Sequence, residues 1–170
     1  MRGLTMTNAD HVTCVRMTAT TVSAARDLLG MFLEGDAHYR ASSSIYGDGG
    51  PEALDRALHL FLAHPELGFV WLAYAEADER ALAVAACVVC RAISTSRGSI
   101  VAKLDDVTVD GDWQGRGVGA RMLAALEDEL RRDGVTRIDC GCHRDNTRAW
   151  RFYERLGYRP LDEERLARLL

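Results

Sequence analysis

Proline is scarce in this chain, with three residues in 170. That excludes polyproline and collagen-like architectures and leaves long stretches free to form helices and strands. Long apolar runs are missing too. None approaches the roughly 20 residues that cross a bilayer, so no membrane partner is expected. The stretch Met1 to Asp10 holds one arginine and no apolar segment, so no secretory leader is expected there. We expect residues 1–10 to be flexible, and 11–170 to form a single domain in the cytoplasm. Basic charge is not in excess either. The net charge of −4 leaves no basic stripe to neutralise phosphates, which argues against nucleic acid as the partner. A mildly acidic surface suits a cationic ligand, and equally suits plain solubility.

Cysteine is limited to an odd set: Cys14, Cys87, Cys90, Cys140 and Cys142. In an intracellular chain this reads as free thiols. Cys87-x-x-Cys90 and Cys140-x-Cys142 lie within apolar, strand-like runs. Strand positions three apart face opposite sides, so Cys87 and Cys90 should diverge. They read as small buried apolar residues, and no metal is expected.

What is present is alternation of strand-like and helix-like segments. His11 to Met17 reads as a first strand, and Val22, Ala25, Leu28, Leu29 and Phe32 recur at helical spacing behind Thr20-Thr21 as N-cap. Asp36 to Ile45 reads as a second helix, and Gly47 to Pro51 as a loop and candidate mobile lid. Pro51 opens a helix with Leu54, Leu58, Phe61 and Leu62 on one face. Gly68 to Ala75, Ala81 to Ala92 and Ile100 to Val109 read as antiparallel strands. A helix follows from Gly119 to Gly134, then a strand over Val135 to Cys142. Asp145-Asn146 caps a last helix that Gly157 stops, and the charged tail beyond Pro160 reads as a short helix. The order predicts one α/β domain on a mixed, mostly antiparallel sheet flanked by helices.

The densest information lies in Val107 to Gly119, read as strand, turn, glycine-rich loop and helix start. Such a loop leaves several backbone N–H groups unpaired, and the helix adds its positive dipole end, which together suit a pyrophosphate. A dinucleotide fingerprint is one reading, with Gly115-x-Gly117-x-Gly119 and Asp139 about 20 residues on. Against it, Asp110 to Trp113 separate strand from loop, and the upstream elements build no βαβαβ half. A Walker A loop is excluded, since no Gly-Lys-Ser/Thr follows.

Gln114-Gly115-Arg116-Gly117-Val118-Gly119 resembles the acetyl-CoA loop of the GNAT superfamily of N-acetyltransferases. Leu104-Asp105-Asp106-Val107-Thr108-Val109 is similar to the Leu-Glu-Asp strand of amine acetyltransferases, including the diamine type. Asn146-x-x-Ala149-x-x-Phe152-Tyr153-x-x-x-Gly157-Tyr158 resembles the family's third motif. The three stand in family order between Ile100 and Pro160, while the N-terminal part matches only in element order. The resemblance implies a GNAT fold whose central strand pair splays. It also implies acetyl-CoA as cosubstrate, bound by Val107, Thr108, Val109, Gln114, Gly115, Arg116, Gly117, Val118, Gly119, Asn146 and Tyr153.

The chemistry expected is acetyl transfer to a primary amine of a small cationic acceptor by direct attack. An alkyl amine titrates near 10.4, so freeing its lone pair at pH 7 costs about 4–5 kcal/mol, and a carboxylate can take that proton. Asp105 is the candidate, standing where the resembling diamine enzymes carry Glu; being one methylene shorter, it favours a bridging water. Asp106 reads as a structural hydrogen-bonding residue on the opposite side of the strand. Tyr153 belongs to an apolar helical stripe with Ala149, Phe152 and Leu156, and the resemblance makes it the acid that protonates CoA. Asn146 reads as a helix cap and, by resemblance, a pantetheine ligand. Glu34, Asp36 and Tyr39 are candidate ammonium contacts. Two other readings are a non-catalytic acyl-CoA-binding domain and an acetyltransferase of protein N-termini or lysines. The resemblance also raises a homodimer.

Overall fold

A computed structural model describes residues 8–47, 49–77, 80–163 and 165–169. Strand β1 (Asn8–Arg16) leads into three helices, α1 (Val22–Gly35), α2 (Ala37–Tyr46) and α3 (Gly50–Ala63). Strands β2 (Gly68–Ala77), β3 (Arg80–Ser94) and β4 (Ser99–Val109) follow. Helix α4 (Val118–Arg132), strand β5 (Ile138–Cys140) and helix α5 (Thr147–Arg155) complete the order. The five strands lie in sequence order in one sheet. The first three pairings are antiparallel and β4–β5 is parallel, which is the mixed sheet the sequence predicts. No helix among the described residues is long and apolar enough to cross a membrane.

Period-two alternation sorts the central strands between two cores. Trp71, Cys87 and Leu104 meet Met122, Leu123, Leu126 and Leu130 of α4 on one face. Leu72, Val88 and Ala86 meet Leu28 and Leu29 of α1 and Leu58 of α3 on the other. Cys87 and Cys90 accordingly pack in opposite cores. The α4 stripe carries Arg131 and Arg132 in its last turn, where cations favour the negative dipole end. The indole N–H of buried Trp71 donates to the Met122 carbonyl at 3.2 Å, tying β2 to α4.

Three local expectations are corrected. Thr21 precedes α1 but makes no side-chain cap; its hydroxyl accepts from the Thr18 N–H instead, closing a turn. The strand expected over Val135 to Cys142 is reduced to β5, because its neighbour β4 pairs with it only through Ala102, Lys103 and Leu104. The tail beyond Pro160 contains no helix among its described residues. Its charged side chains find no core to bury a helical face against, and short helices need one. In the candidate lid, α3 already begins at Gly50, and Asp48 lies outside the described residues.

Candidate active site

The site begins with a defect in β4. Thr108 pairs with Ala86 and Asp105 with Val88, so Asp106 and Val107 both stand opposite Cys87. This is a β-bulge, and Asp106 adopts φ of 49° to make it. Left-handed backbone costs an L-residue roughly 1–2 kcal/mol, and Asp is among the few that visit it. Strict alternation would put Leu104 and Val107 on opposite faces. Both contact the α4-side core, so the bulge has shifted the phase of the strand.

The bend coincides with the end of β5. The last parallel rung is Leu104 with Cys140. From Asp105 to Val109, β4 is held by β3 on one side, and among the described residues no strand pairs with its other edge. The pairing with β5 therefore stops at the bulge and leaves this edge of β4 open. At the far end of the open edge, the Gln114 side chain donates to the Val109 carbonyl at 2.9 Å and ties the glycine loop to the strand.

The loop is braced from below and behind. A short 3₁₀ turn, Gly111–Trp113, buries Trp113, and the Arg116 guanidinium lies 5.5 Å from that ring's centroid. Arg121 donates to the Arg116 carbonyl at 3.0 Å. Gly117 caps α4 in the left-handed region at φ of 79° and brings no side chain to the first-turn N–H groups. Those of Val118, Gly119 and Ala120 have no acceptor within the helix, as at any helix start. A Cβ on Gly119 would stand 3.3 Å from the Phe152 ring and 3.3 Å from a Val109 methyl. Glycine there lets α4 approach both β4 and α5. Unpaired N–H groups at a helix start, beside an open strand edge, fit a long pyrophosphate-bearing thioester.

Asp105 and Asp106 sit at the root of the split. Asp105 accepts a hydrogen bond from Arg165 at 3.1 Å. Asp106 accepts none among the described residues. Burial raises the Asp106 carboxyl to about 6, reinforced by the Asp105 charge and partly offset by Arg165.

Tyr153 is held on α5. Asn146 caps this helix, its side chain accepting from the Ala149 N–H at 3.0 Å, as predicted. The Trp150 indole donates to the His143 carbonyl at 3.1 Å, fixing the preceding turn. Tyr153 is 9% exposed and wedged between the rings of Phe152 and Tyr158. Burial, then the neighbouring thiols of Cys140, Cys87 and Cys142, push its phenol well above the ordinary tyrosine value. It stays protonated across any working pH.

An open cavity of about 270 Å³ runs beside Thr108, Val109 and Gln114 and is walled by Leu28 and Phe32 of α1. Asp36 lines it and also caps α2, accepting from the Tyr39 N–H at 2.7 Å. Glu34 and Tyr39 do not line it; Tyr39 stacks at 5.7 Å on Phe32 instead. Sequence reasoning missed the bulge at Asp106, the reach of Arg165, and a His38–His143 ring contact at 5.1 Å between α2 and the turn before α5. An Asp-Asp pair in a strand interior was a signal for the first. The other two leave no local mark.

Comparison with known proteins accords with this geometry. The chain is similar in structure to a probable acetyltransferase at 20% identity and TM-score 0.72, over 93% of this chain and 97% of that one. It is similar to an aminoglycoside N-acetyltransferase solved with CoA at 17% identity and TM-score 0.73, over 94% and 95%. A glucosamine-6-phosphate N-acetyltransferase from Arabidopsis thaliana aligns at 16% identity and TM-score 0.63, over 94% and 98%. No curated protein sequence matches the chain. Residues 36–158 match the Acetyltransferase (GNAT) family, from the cap of α2 to the tyrosine that closes the third motif, and the chain belongs to that family of acetyl-CoA-dependent acetyltransferases.

Proposed function

We propose that this acetyltransferase moves an acetyl group from acetyl-CoA to the primary amine of a small cationic acceptor, by direct attack of the amine on the thioester. The observation that carries the proposal is the open edge of β4, which begins at a carboxylate pair and ends at the glycine loop. In this reading the N–H groups of Arg116 to Gly119 take the pyrophosphate. The unpaired edge over Val107, Thr108 and Val109 takes the pantetheine arm as an added strand. Asn146 has committed its oxygen to the cap, so its amide N–H₂ is the group it offers the arm.

The proton leaves the amine toward the Asp105–Asp106 pair. Asp105 steers the ammonium, directly or through water. Asp106, raised to about 6, is largely ionised at neutral pH and holds a proton better than an ordinary carboxylate. The role that sequence places on Asp105 alone is thus shared. Backbone N–H groups on the open edge face the thioester oxygen as it gains charge. Tyr153 donates its hydroxyl to the departing sulfur. An ordinary thiol titrates near 8.5, below a buried phenol, so a hydrogen bond describes that donation better than full transfer. A polyamine or an aminoglycoside-like amine suits two adjacent carboxylates, and Asp36 offers a further one in the cavity beside Thr108 and Val109.

Calorimetric titration with acetyl-CoA, beside NAD and NADPH, tests the loop. CoA-thiol release with spermidine, neamine and an N-terminal peptide tests the acceptor. Acetyl-CoA binding with turnover of a small amine supports the proposal. Binding without turnover of any amine identifies an acyl-CoA-binding domain, and turnover of the peptide alone identifies a protein acetyltransferase.

A further inference from the structure

The split between β4 and β5 is not empty at its root. Asp105 is the first β4 residue beyond the last rung, and Gly141 is the first residue beyond β5. Arg165, from the irregular C-terminal segment, spans them. Its Nη1 lies 3.1 Å from the Asp105 carboxylate. The same nitrogen stands 2.7 Å from where a Cβ on Gly141 would be, so the guanidinium lies in the space that glycine leaves. Arg165 remains 76% exposed and Asp105 37% exposed. The contact is shallow and hydrated, and exposed ion pairs of this kind exchange readily.

We infer that Arg165 is a specificity-determining residue that competes with a cationic acceptor for Asp105, so that the chain's own guanidinium occupies the acceptor's ammonium position until the acceptor displaces it. The inference rests on the proposed function's reading of Asp105 as the carboxylate that steers the acceptor's ammonium. An acceptor with one ammonium group must displace the guanidinium with a single contact. A polyamine brings several charges and does so more easily, so the plug favours polycations over monoamines. Gly141 belongs to the same device, because a side chain there would oblige the guanidinium to shift.

The test uses the full chain without CoA, and spermidine as probe. In Arg165→Ala the spermidine dissociation constant falls by up to about fivefold, the most an exposed pair is worth. Arg165→Lys falls between the two, and the difference between parent and Ala variant shrinks as salt rises. In the parent protein the Arg165 Nε–H resonance shifts as spermidine saturates. Butylamine gains more from Arg165→Ala than spermidine does. Equal or weaker spermidine binding in Arg165→Ala overturns the inference, as does an unmoved Arg165 resonance or failure of spermidine to bind either form. Because CoA is absent, loss of acetyl-CoA binding in the separate titration would sink the proposed function and leave this competition standing.

Discussion

Strand β4 has two halves that obey different rules. From Ser99 to Leu104 it has β3 on one side, β5 joins it on the other over Ala102 to Leu104, and Val101, Ala102 and Leu104 are buried. From Asp105 to Val109 it keeps β3 only, and every side chain is half-buried. The inner half is apolar apart from Ser99 and Lys103 and reads as an ordinary central strand. The outer half carries Asp105 and Asp106, a residue type depleted in strands, and one of them holds left-handed backbone. Departures from local rules gather where backbone groups are withheld from the sheet, which is where a ligand can use them.

If the halves differ in purpose, they should differ in what substitution costs. Leu104→Ala empties a fully packed site and should lower unfolding stability by roughly 2–5 kcal/mol in a denaturant titration, against less than about 1 for Thr108→Ala. Equal losses would erase the distinction. Tyr153→Phe keeps the ring packing and should lower turnover by roughly 10²-fold with acetyl-CoA affinity nearly intact, read by steady-state kinetics and calorimetry. Undiminished turnover would remove Tyr153 from the mechanism.

Asp106 should reveal itself through pH. In the proposed mechanism its ionised form is the base, so kcat/KM should rise with pH through about 6, separately from the amine's own titration, and Asp106→Asn should lose that limb. Stability runs the other way. A carboxyl whose folded value lies above 3.8 favours the fold when protonated. The Asn variant therefore gains stability relative to the parent as pH rises from 3.8 to about 6, which thermal melts at several pH values would show. A smaller effect on binding is expected at Gly117, where alanine meets the left-handed penalty of roughly 1–2 kcal/mol. Acetyl-CoA should bind severalfold more weakly there, while an alanine at open, ordinary-φ Gly111 should change little.

Much of the scaffold was legible because periodicity reports burial directly. The α4 stripe, the hairpin of β2 and β3, and the opposite facing of Cys87 and Cys90 each follow from 3.6- or 2-residue spacing. The glycine loop and the Asn146 cap were legible because each requires particular residue types at fixed offsets. The outer half of β4 was not, since a bulge breaks the period on which the reading depends. The length of β5 was hidden for a related reason: Val135 to Cys142 has strand composition throughout, but a strand needs a partner, and β4 pairs with it only from Ala102 to Leu104. Arg165 lies 60 residues from Asp105, beyond the reach of any local pattern.

The bulge also has a meaning in terms of reading frames. Asp106 acts as a one-residue insertion in the two-letter code of inside and outside, shifting every β4 residue after it by one. Deleting it would leave one residue opposite Cys87 and keep Val107 and Val109, now two and four positions after Leu104, on the α4 face, while removing the left-handed residue from the strand. A lineage could then gain or lose the bulge through a single codon, while leaving the inward face of the strand, the glycine loop and Tyr153 untouched.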